Sequence, residues 1–467
     1  MKQEPPVPSG QATLQYWGGT LGAFLPFAFF LVGVMVLGLS GTPVETGFWP
    51  VLLAALMLGL LLARDRSAYS EVILAGMSRP LVMVLVMAWL LAGVLGTLLA
   101  ESGLVPALVW LGRATSVSGG GYVAAAFLIT CLVATATGTS LGTILVCAPM
   151  LYPGGAGMGA DPAWLMGAVI GGATFGDNVS PVSDTTIASA NTQEADMGGV
   201  VRSRMRYALP AAFMALIAFS VWGGGAPSPG RMPGGDGQAG PGGLVMLSVP
   251  VLVIALLIRR RHLVEGLMMG ILAAVVLGLV TRQFTAGDLF FLDQEAYSAN
   301  GLLLSGMQRG VGVSIFTILL MGLVAGLEGA GLVDRMVRTA TRGATTAGQA
   351  ERRIFATVSA AVVLTTHAAV AILAVGEITR EVGKRFGISG YRRSNLLDVT
   401  VCTYPFLLPF FIPTILAAST TAGMEEFGAP HLSAWTIGLH NAHSWALLLV
   451  ILFAVGTGWG RGEPASR

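Results

Sequence analysis

The chain has 467 residues, of which 54% are hydrophobic and only 11% charged, with a formal net charge of +2 and a mean hydropathy of +0.75. A soluble domain carries about 25% charged residues, so this composition excludes a soluble globular protein and leaves no room for a large extramembrane domain. The few Arg residues sit in short loops and form no basic face, so nucleic acid is not an expected partner.

Residues 1–17 are polar and are expected to form a cytoplasmic tail. Apolar runs near the ~20 residues that cross a bilayer then follow at 18–39, 48–63, 81–100, 121–151, 163–190 and 207–222. The Gly/Pro-rich stretch 223–243 reads as an extracytoplasmic linker. A second series follows at 244–258, 263–280, 301–327, 354–380, 394–420 and 434–456, before a cytoplasmic tail at 457–467. "ILAGMSR" (73–79) aligns with "LLSGMQR" (303–309), and "ESGLV" (101–105) with "GAGLV" (329–333), at nearly the same offset. Together these short matches argue for an internal repeat, residues 18–222 against 244–456.

Arginine placement orients each copy, because Lys and Arg in short loops stay cytoplasmic. Arg64 and Arg66, the trio Arg202, Arg204 and Arg206, Arg259–Arg261, the 335–353 loop and Lys384–Arg393 are assigned to that side; only Arg113 opposes the pattern. The assignment holds only if 121–151 enters and leaves on the outside and 354–380 on the inside, each as a hairpin. The expected fold is therefore an all-α polytopic membrane protein of two inverted-topology repeats. It has about ten full spans plus two re-entrant hairpins with broken helices, and both termini cytoplasmic.

Three stretches are too polar for lipid. The first, "ATATGTSLGT" (134–143), centres Thr137, Thr139 and Ser140 on Gly138, a hairpin tip whose hydroxyls and freed carbonyls could be ligands. The alternative is that each hydroxyl bonds its own helix backbone. The second, "GDNVSPVSDTT" (176–186), carries Asp177, Asn178, Ser180 and Asp184 around a helix-breaking proline. A hard cation such as Na⁺ wants carboxylate, hydroxyl, amide and backbone oxygens, all offered here, so Asp177 and Asp184 are candidate Na⁺ ligands. A carboxylate shielded from water can also hold a proton near neutral pH, and competition between Na⁺ and H⁺ for one carboxylate is exchange. Asp184 could instead only cap a helix. The third stretch joins "VVLTTHAAVA" (362–371), with Thr366 and His367 at its tip, to "NLLDVTVCTYPFLLPFFIP" (395–413), with Asp398 and Thr403. No buried Arg or Lys is apparent to neutralise the carboxylates.

Cys131, Cys147 and Cys402 lie in apolar segments without metal-ligand spacing. The two histidines of "LHNAHSW", His440 and His443, suit a polar helix interface. The chain has no HExxH and no phosphate loop, and its GxSxG match at 138–142 lies at the expected hairpin tip and not at a strand-to-helix elbow, so an enzyme is not expected.

"GATFGDNVSPVSDTTIASA" (172–190) resembles the signature of the NhaC-type sodium/proton antiporters, and "ATGTSLGT" (136–143) the hairpin motif before it. The resemblance extends from about 18 to 456. It implies a member of the ion-transporter superfamily: a multi-pass protein of the cytoplasmic membrane, dimeric and with a mobile transport unit, with no cofactor beyond the transported Na⁺ and H⁺. It assigns binding roles to Asp177, Asn178, Ser180, Asp184 and Thr137–Ser140. The second-half motif fits only in part. The leading expectation is Na⁺ extrusion against H⁺ by a homodimer; the runner-up is a Na⁺- and H⁺-coupled exchanger of a small organic acid or amino acid.

Overall fold

The computed structural model describes residues 14–39, 45–104, 106–107, 110, 119–181, 183–225, 241–259, 261–293, 298–332, 344–425 and 428–461. Most of the linker, both distal tails, Arg113 and much of the 335–353 loop lie outside these residues. The first half runs through α1 (Gly19–Leu39), α2 (Trp49–Leu62), α3 (Arg66–Met77), α4 (Pro80–Glu101), α5 (Gly120–Thr137), α6 (Ser140–Gly157), α7 (Pro162–Val179), α8 (Asp184–Thr192) and α9 (Met197–Trp222). The second runs through α10 (Ser248–Ile258), α11 (Leu263–Val280), α12 (Leu302–Gly329), α13 (Ala347–Thr365), α14 (Ala368–Arg385), α15 (Gly390–Val401), α16 (Ile412–Thr421), α17 (Ala434–His440) and α18 (Ala442–Thr457). A two-stranded ribbon, Phe291–Asp293 against Ser298–Asn300, precedes α12.

The chain is an all-α polytopic membrane protein. Among the described residues six helices are long and apolar enough to cross a bilayer, or seven if α17 and α18, bent by 56°, form one span. Helices satisfy their own backbone groups, which hydrocarbon cannot do for them. The other helices are shorter because local chemistry interrupts them. Ser180 takes extended backbone before Pro181 and ends α7, and Pro405 and Pro413 sit at the first turns of the two pieces that follow α15.

Gly138, at φ +70°, closes α5 and permits the reversal into α6. The backbone N–H of Gly119, before α5, donates to the Met158 carbonyl just beyond α6 at 2.8 Å, so both ends of this hairpin lie together, beside Gly223 at the carboxyl end of α9. A second hairpin, α13 and α14, turns at Thr366 and His367. Its base meets α15, where Arg392 donates to Glu351 and Gly383 abuts Arg393. Tyr391 of the same region packs on Gly199 at the amino end of α9. Each hairpin is followed by a helix that breaks in mid-course, α7 into α8 and α15 into α16. The two halves meet closely where α4 crosses α12: a Cβ on Gly93 would sit 2.2 Å from the Gly306 carbonyl oxygen, a glycine contact of the kind that lets membrane helices approach.

Candidate ion-binding site at the broken helices

Asp161 starts α7 by accepting from the N–H groups of Ala163 and Trp164, with Pro162 preset for the first turn. The helix is buried along its last two turns, and Asp177 and Asn178 face the interior there, 6% and 0% exposed. Gly172 and Gly176 make this possible, since a Cβ on either would collide with the α5 backbone at Phe127 or Ala134. Four residues after the end of α7, Ser183 stands at the amino-terminal cap of α8, yet its hydroxyl does not cap the helix. It donates instead to Asp177 Oδ1 at 3.4 Å and lies 3.0 Å from the Thr185 hydroxyl. Thr185 in turn donates to Asp398 Oδ1 at 3.5 Å. A chain of two hydroxyls thus joins a carboxylate of one half to a carboxylate of the other.

Asp398, fully buried on α15, has a cation of its own. Arg204 Nη1 lies 2.6 Å from Asp398 Oδ2, and both side chains are 0% exposed. The same guanidinium donates to the Asn178 carbonyl at 2.9 Å, the Thr186 hydroxyl at 2.7 Å, Ser189 Oγ at 3.2 Å and Asn395 Oδ1 at 3.2 Å. Ser189 and Cys402 complete the Asp398 shell, at 3.1 and 3.2 Å. The expectation that nothing neutralises the carboxylates is therefore corrected: Arg204 is an internal counter-ion and not a loop residue. Sequence reasoning missed it because it sits between Arg202 and Arg206 in an apparently cytoplasmic cluster. Helical spacing carried the signal, since Arg204 falls on the buried stripe Val200, Tyr207, Ala208, Ala211, whereas Arg202 and Arg206 are exposed.

Asp177 differs. Among the described residues no Lys or Arg pairs with it; its carboxyl lies against Ser140 at the start of α6. Asn178 Oδ1, next to it in sequence, is buried and accepts no hydrogen bond among the described residues. At the first tip Thr137 is 3.3 Å from Thr143, while Thr139 accepts from the Gly142 N–H and so caps α6. Ser180 is buried, its N–H on the Gly176 carbonyl. Asp184 is exposed at the first position of α8, and its carboxylate accepts from the Thr185 N–H. The second tip approaches from the other side: His367 lies near enough to Asp184 for their charges to interact. The Thr366 hydroxyl and His367 Nδ1 are buried and have no partner among the described residues. Thr403 is buried and bonds back to the Val399 carbonyl. His443 is packed between the rings of Phe127 and Phe175, and His440 against Trp164.

At the end of this region the halves are clasped in a more exposed setting. Glu194, after α8, pairs with Lys384 and Arg380 of α14, and Lys384 foremost holds its carboxyl below the usual range. Asp196 is held low chiefly by the Tyr391 hydroxyl.

Residues 16–224 match the model of the Na⁺/H⁺ antiporter family. The chain is 25% identical to the Na⁺/H⁺ antiporter NhaC of Alkalihalophilus pseudofirmus over 352 residues, 71% of this chain and 74% of that one. It is 26% identical to NhaC of Bacillus subtilis over 242 residues, 48% and 53% of the two chains. Over its first half the chain is thus similar to the Na⁺/H⁺ antiporter family. The chain is also 28% identical to the malate-2H⁺/Na⁺-lactate antiporter of Bacillus subtilis over 329 residues, 66% of this chain and 68% of that one. The antiporter family model covers α1 to α9, and so contains Asp177, Asn178, Asp184 and Arg204 but not Asp398.

Proposed function

We propose that this protein is an antiporter that exchanges Na⁺ for H⁺ by alternating access, with Asp177 as the carboxylate that binds one or the other. The observation that carries this reading is the inequality of two buried carboxylates at one pair of helix breaks: Asp398 is satisfied by Arg204, whereas Asp177 meets the Ser183 and Ser140 hydroxyls and the Ser140 N–H, and no cation among the described residues. An anionic carboxylate with no counter-ion in a low-dielectric site is costly, so it is stable there only with a bound cation or a proton. Asn178 Oδ1, Ser140 and Ser183 are the oxygens that would share a Na⁺ with it; Asp184 stands at the mouth and would guide cations inward. Thr137–Ser140 at one tip and Thr366 and His367 at the other close the site, with Thr403 supporting the Asp398 helix.

The wider reading is of two inverted repeats, 18–222 and 244–456, carrying about ten spans and two re-entrant hairpins, in a homodimer of the cytoplasmic membrane with both tails cytoplasmic. The placement of the hairpin bases at opposite ends of α9 supports it. In everted vesicles, adding Na⁺ should dequench a pH dye, and Asp177→Asn should abolish the signal; full-rate exchange by that variant would remove Asp177 from the mechanism.

A second reading, co-exchange of an organic acid, is favoured by the likeness to a malate- and lactate-handling antiporter. Labelled lactate or malate accumulating in proteoliposomes under a Na⁺ gradient would establish it, and Na⁺/H⁺ exchange that proceeds with no organic solute at all would count against obligatory coupling.

A further inference from the structure

Four buried side chains stand in a row across the contact between the halves: Asp177 on α7, Ser183 and Thr185 at the start of α8, and Asp398 on α15. Their oxygens make three successive contacts, 3.4 Å from Asp177 Oδ1 to Ser183, 3.0 Å from Ser183 to Thr185 and 3.5 Å from Thr185 to Asp398 Oδ1. Each hydroxyl has one hydrogen to donate, so three contacts share two hydrogens. If both hydroxyls donate outward to a carboxylate, the 3.0 Å contact between them holds only lone pairs. Among the described residues neither hydroxyl has another oxygen or nitrogen to turn to; Cys402 Sγ, 3.8 Å from Thr185, itself donates to Asp398 Oδ1 at 3.2 Å.

The row therefore has two senses. With Asp177 anionic, its charge draws the Ser183 hydrogen and Thr185 turns to donate to Ser183; Asp398 gives up that hydrogen and keeps Arg204, Ser189 and Cys402. With a proton on Asp177 there are three hydrogens for three contacts, and all are filled in the opposite sense, from Asp177 to Ser183 to Thr185 to Asp398. The added proton belongs on Asp177, because Asp398 already meets a cation in Arg204. A Na⁺ shared by Asp177 and Ser183 acts alike, since a hydroxyl that gives a lone pair to a cation must turn its hydrogen elsewhere, here to Thr185.

We infer that Thr185 is a positioning residue for ion binding at Asp177: by accepting the Ser183 hydrogen it leaves Ser183 able to receive either the Asp177 proton or a Na⁺, and Asp398 ends the chain across the contact between the halves. The inference rests on Asp177 as the exchanging carboxylate and adds to that reading a residue that touches neither ion. The other ionisable groups facing the row are Asp184 on α8, Cys402 after α15 and, on Asp398, Arg204 of α9, with Ser140 of α6 on the remaining side of Asp177. Among the described residues none of them takes the Ser183 hydrogen in place of Thr185.

The test measures, in everted vesicles and from acid to alkaline pH, the Na⁺ concentration that gives half-maximal exchange by the parent, by Thr185→Val, which keeps the shape and removes the hydroxyl, and by Thr185→Ser. Thr185→Val should raise that concentration about fivefold at alkaline pH, the worth of one hydrogen bond, and move the onset of acid inhibition down by about 0.7 pH unit, the same factor for protons. Thr185→Ser should recover most of both. An unchanged half-saturation and pH profile, a change in maximal rate alone, or no recovery in Thr185→Ser would overturn the inference. A second readout does not need transport. In detergent, the infrared carbonyl stretch of protonated Asp177, identified by its loss in Asp177→Asn, should move to higher frequency in Thr185→Val as its hydrogen bonding weakens. Arg204→Gln with Asp398→Asn, which replaces the anion at the far end by an amide, should move it the same way, so the chain is tested even where Thr185→Val fails to fold. A band that stays in place, or none that depends on Asp177, would overturn the inference. A band that moves as expected in a protein that exchanges no Na⁺ would sustain the chain and remove the proposed function.

Discussion

Arg204 concentrates much of the physics in one side chain. It joins α7, α8 and α15 through its fork of donors, a geometry that a lysine ammonium cannot reproduce. Removing one member of a buried pair typically costs about 3–5 kcal/mol, because the survivor is left charged and alone, whereas removing both can be nearly neutral. Arg204→Gln is therefore expected to lower the thermal midpoint sharply, and Arg204→Gln with Asp398→Asn to recover most of the loss. A double variant no more stable than the single would show that the pair is not the main interaction of either group. The two aspartates were legible in the sequence because a carboxylate inside an apolar run is costly and is seldom kept there without a binding role. Arg204 was not, since a basic residue near a helix end is also what topology alone would put there, and only burial separates the two.

At the scale of the helix, the backbone at the two tips makes opposite demands. Gly138 holds φ +70° with the residue that does so at no steric cost, whereas Thr366 holds φ +53° with a β-branched one. Gly138→Ala should cost about 1–2 kcal/mol from the left-handed conformation alone. Thr366→Gly should raise stability by up to about 1 kcal/mol while removing the unpartnered hydroxyl, so a lower thermal midpoint would mean that the hydroxyl matters more to folding than the strain does. The hairpins and helix breaks could be read from glycine, proline and polar clusters, which act locally. Helix lengths could not: the apolar run 163–190 reads as one segment, and it is Ser180 before Pro181 that divides it into α7 and α8. The diverted Ser183 hydroxyl was equally hidden, because "VSD" before a helix reads as an ordinary cap and its true acceptor, Asp177, is fixed by tertiary placement.

Across the whole molecule the halves are joined by a buried pair at Arg204 and Asp398 and an exposed clasp at Glu194, Lys384 and Arg380, and these will respond differently to solution conditions. The lowered Glu194 carboxyl makes its contribution fully present above the ordinary carboxylate range and lost as pH falls through its folded value, below about pH 4.5. Salt screens exposed charges over a Debye length that shrinks to about 3 Å at 1 M. Glu194→Gln should therefore lower the thermal midpoint at low salt and neutral pH, and match the parent in 1 M salt; a salt-independent difference would place the effect in packing. The Arg204–Asp398 pair, shut away from solvent, should keep its effect in both. The fixed guanidinium also bears on membrane voltage. If exchange runs on Asp177 alone, one sodium leaves for one proton admitted, and the moving unit carries the same charge in both directions. A potential of 100 mV is worth about 2.3 kcal/mol for each elementary charge moved, and none of that would be available to such a cycle. With K⁺ and valinomycin setting the voltage in proteoliposomes, the exchange rate should follow the ion gradients and ignore the potential, whereas Asp398, freed from Arg204 to take a second proton, would make sodium export depend on both.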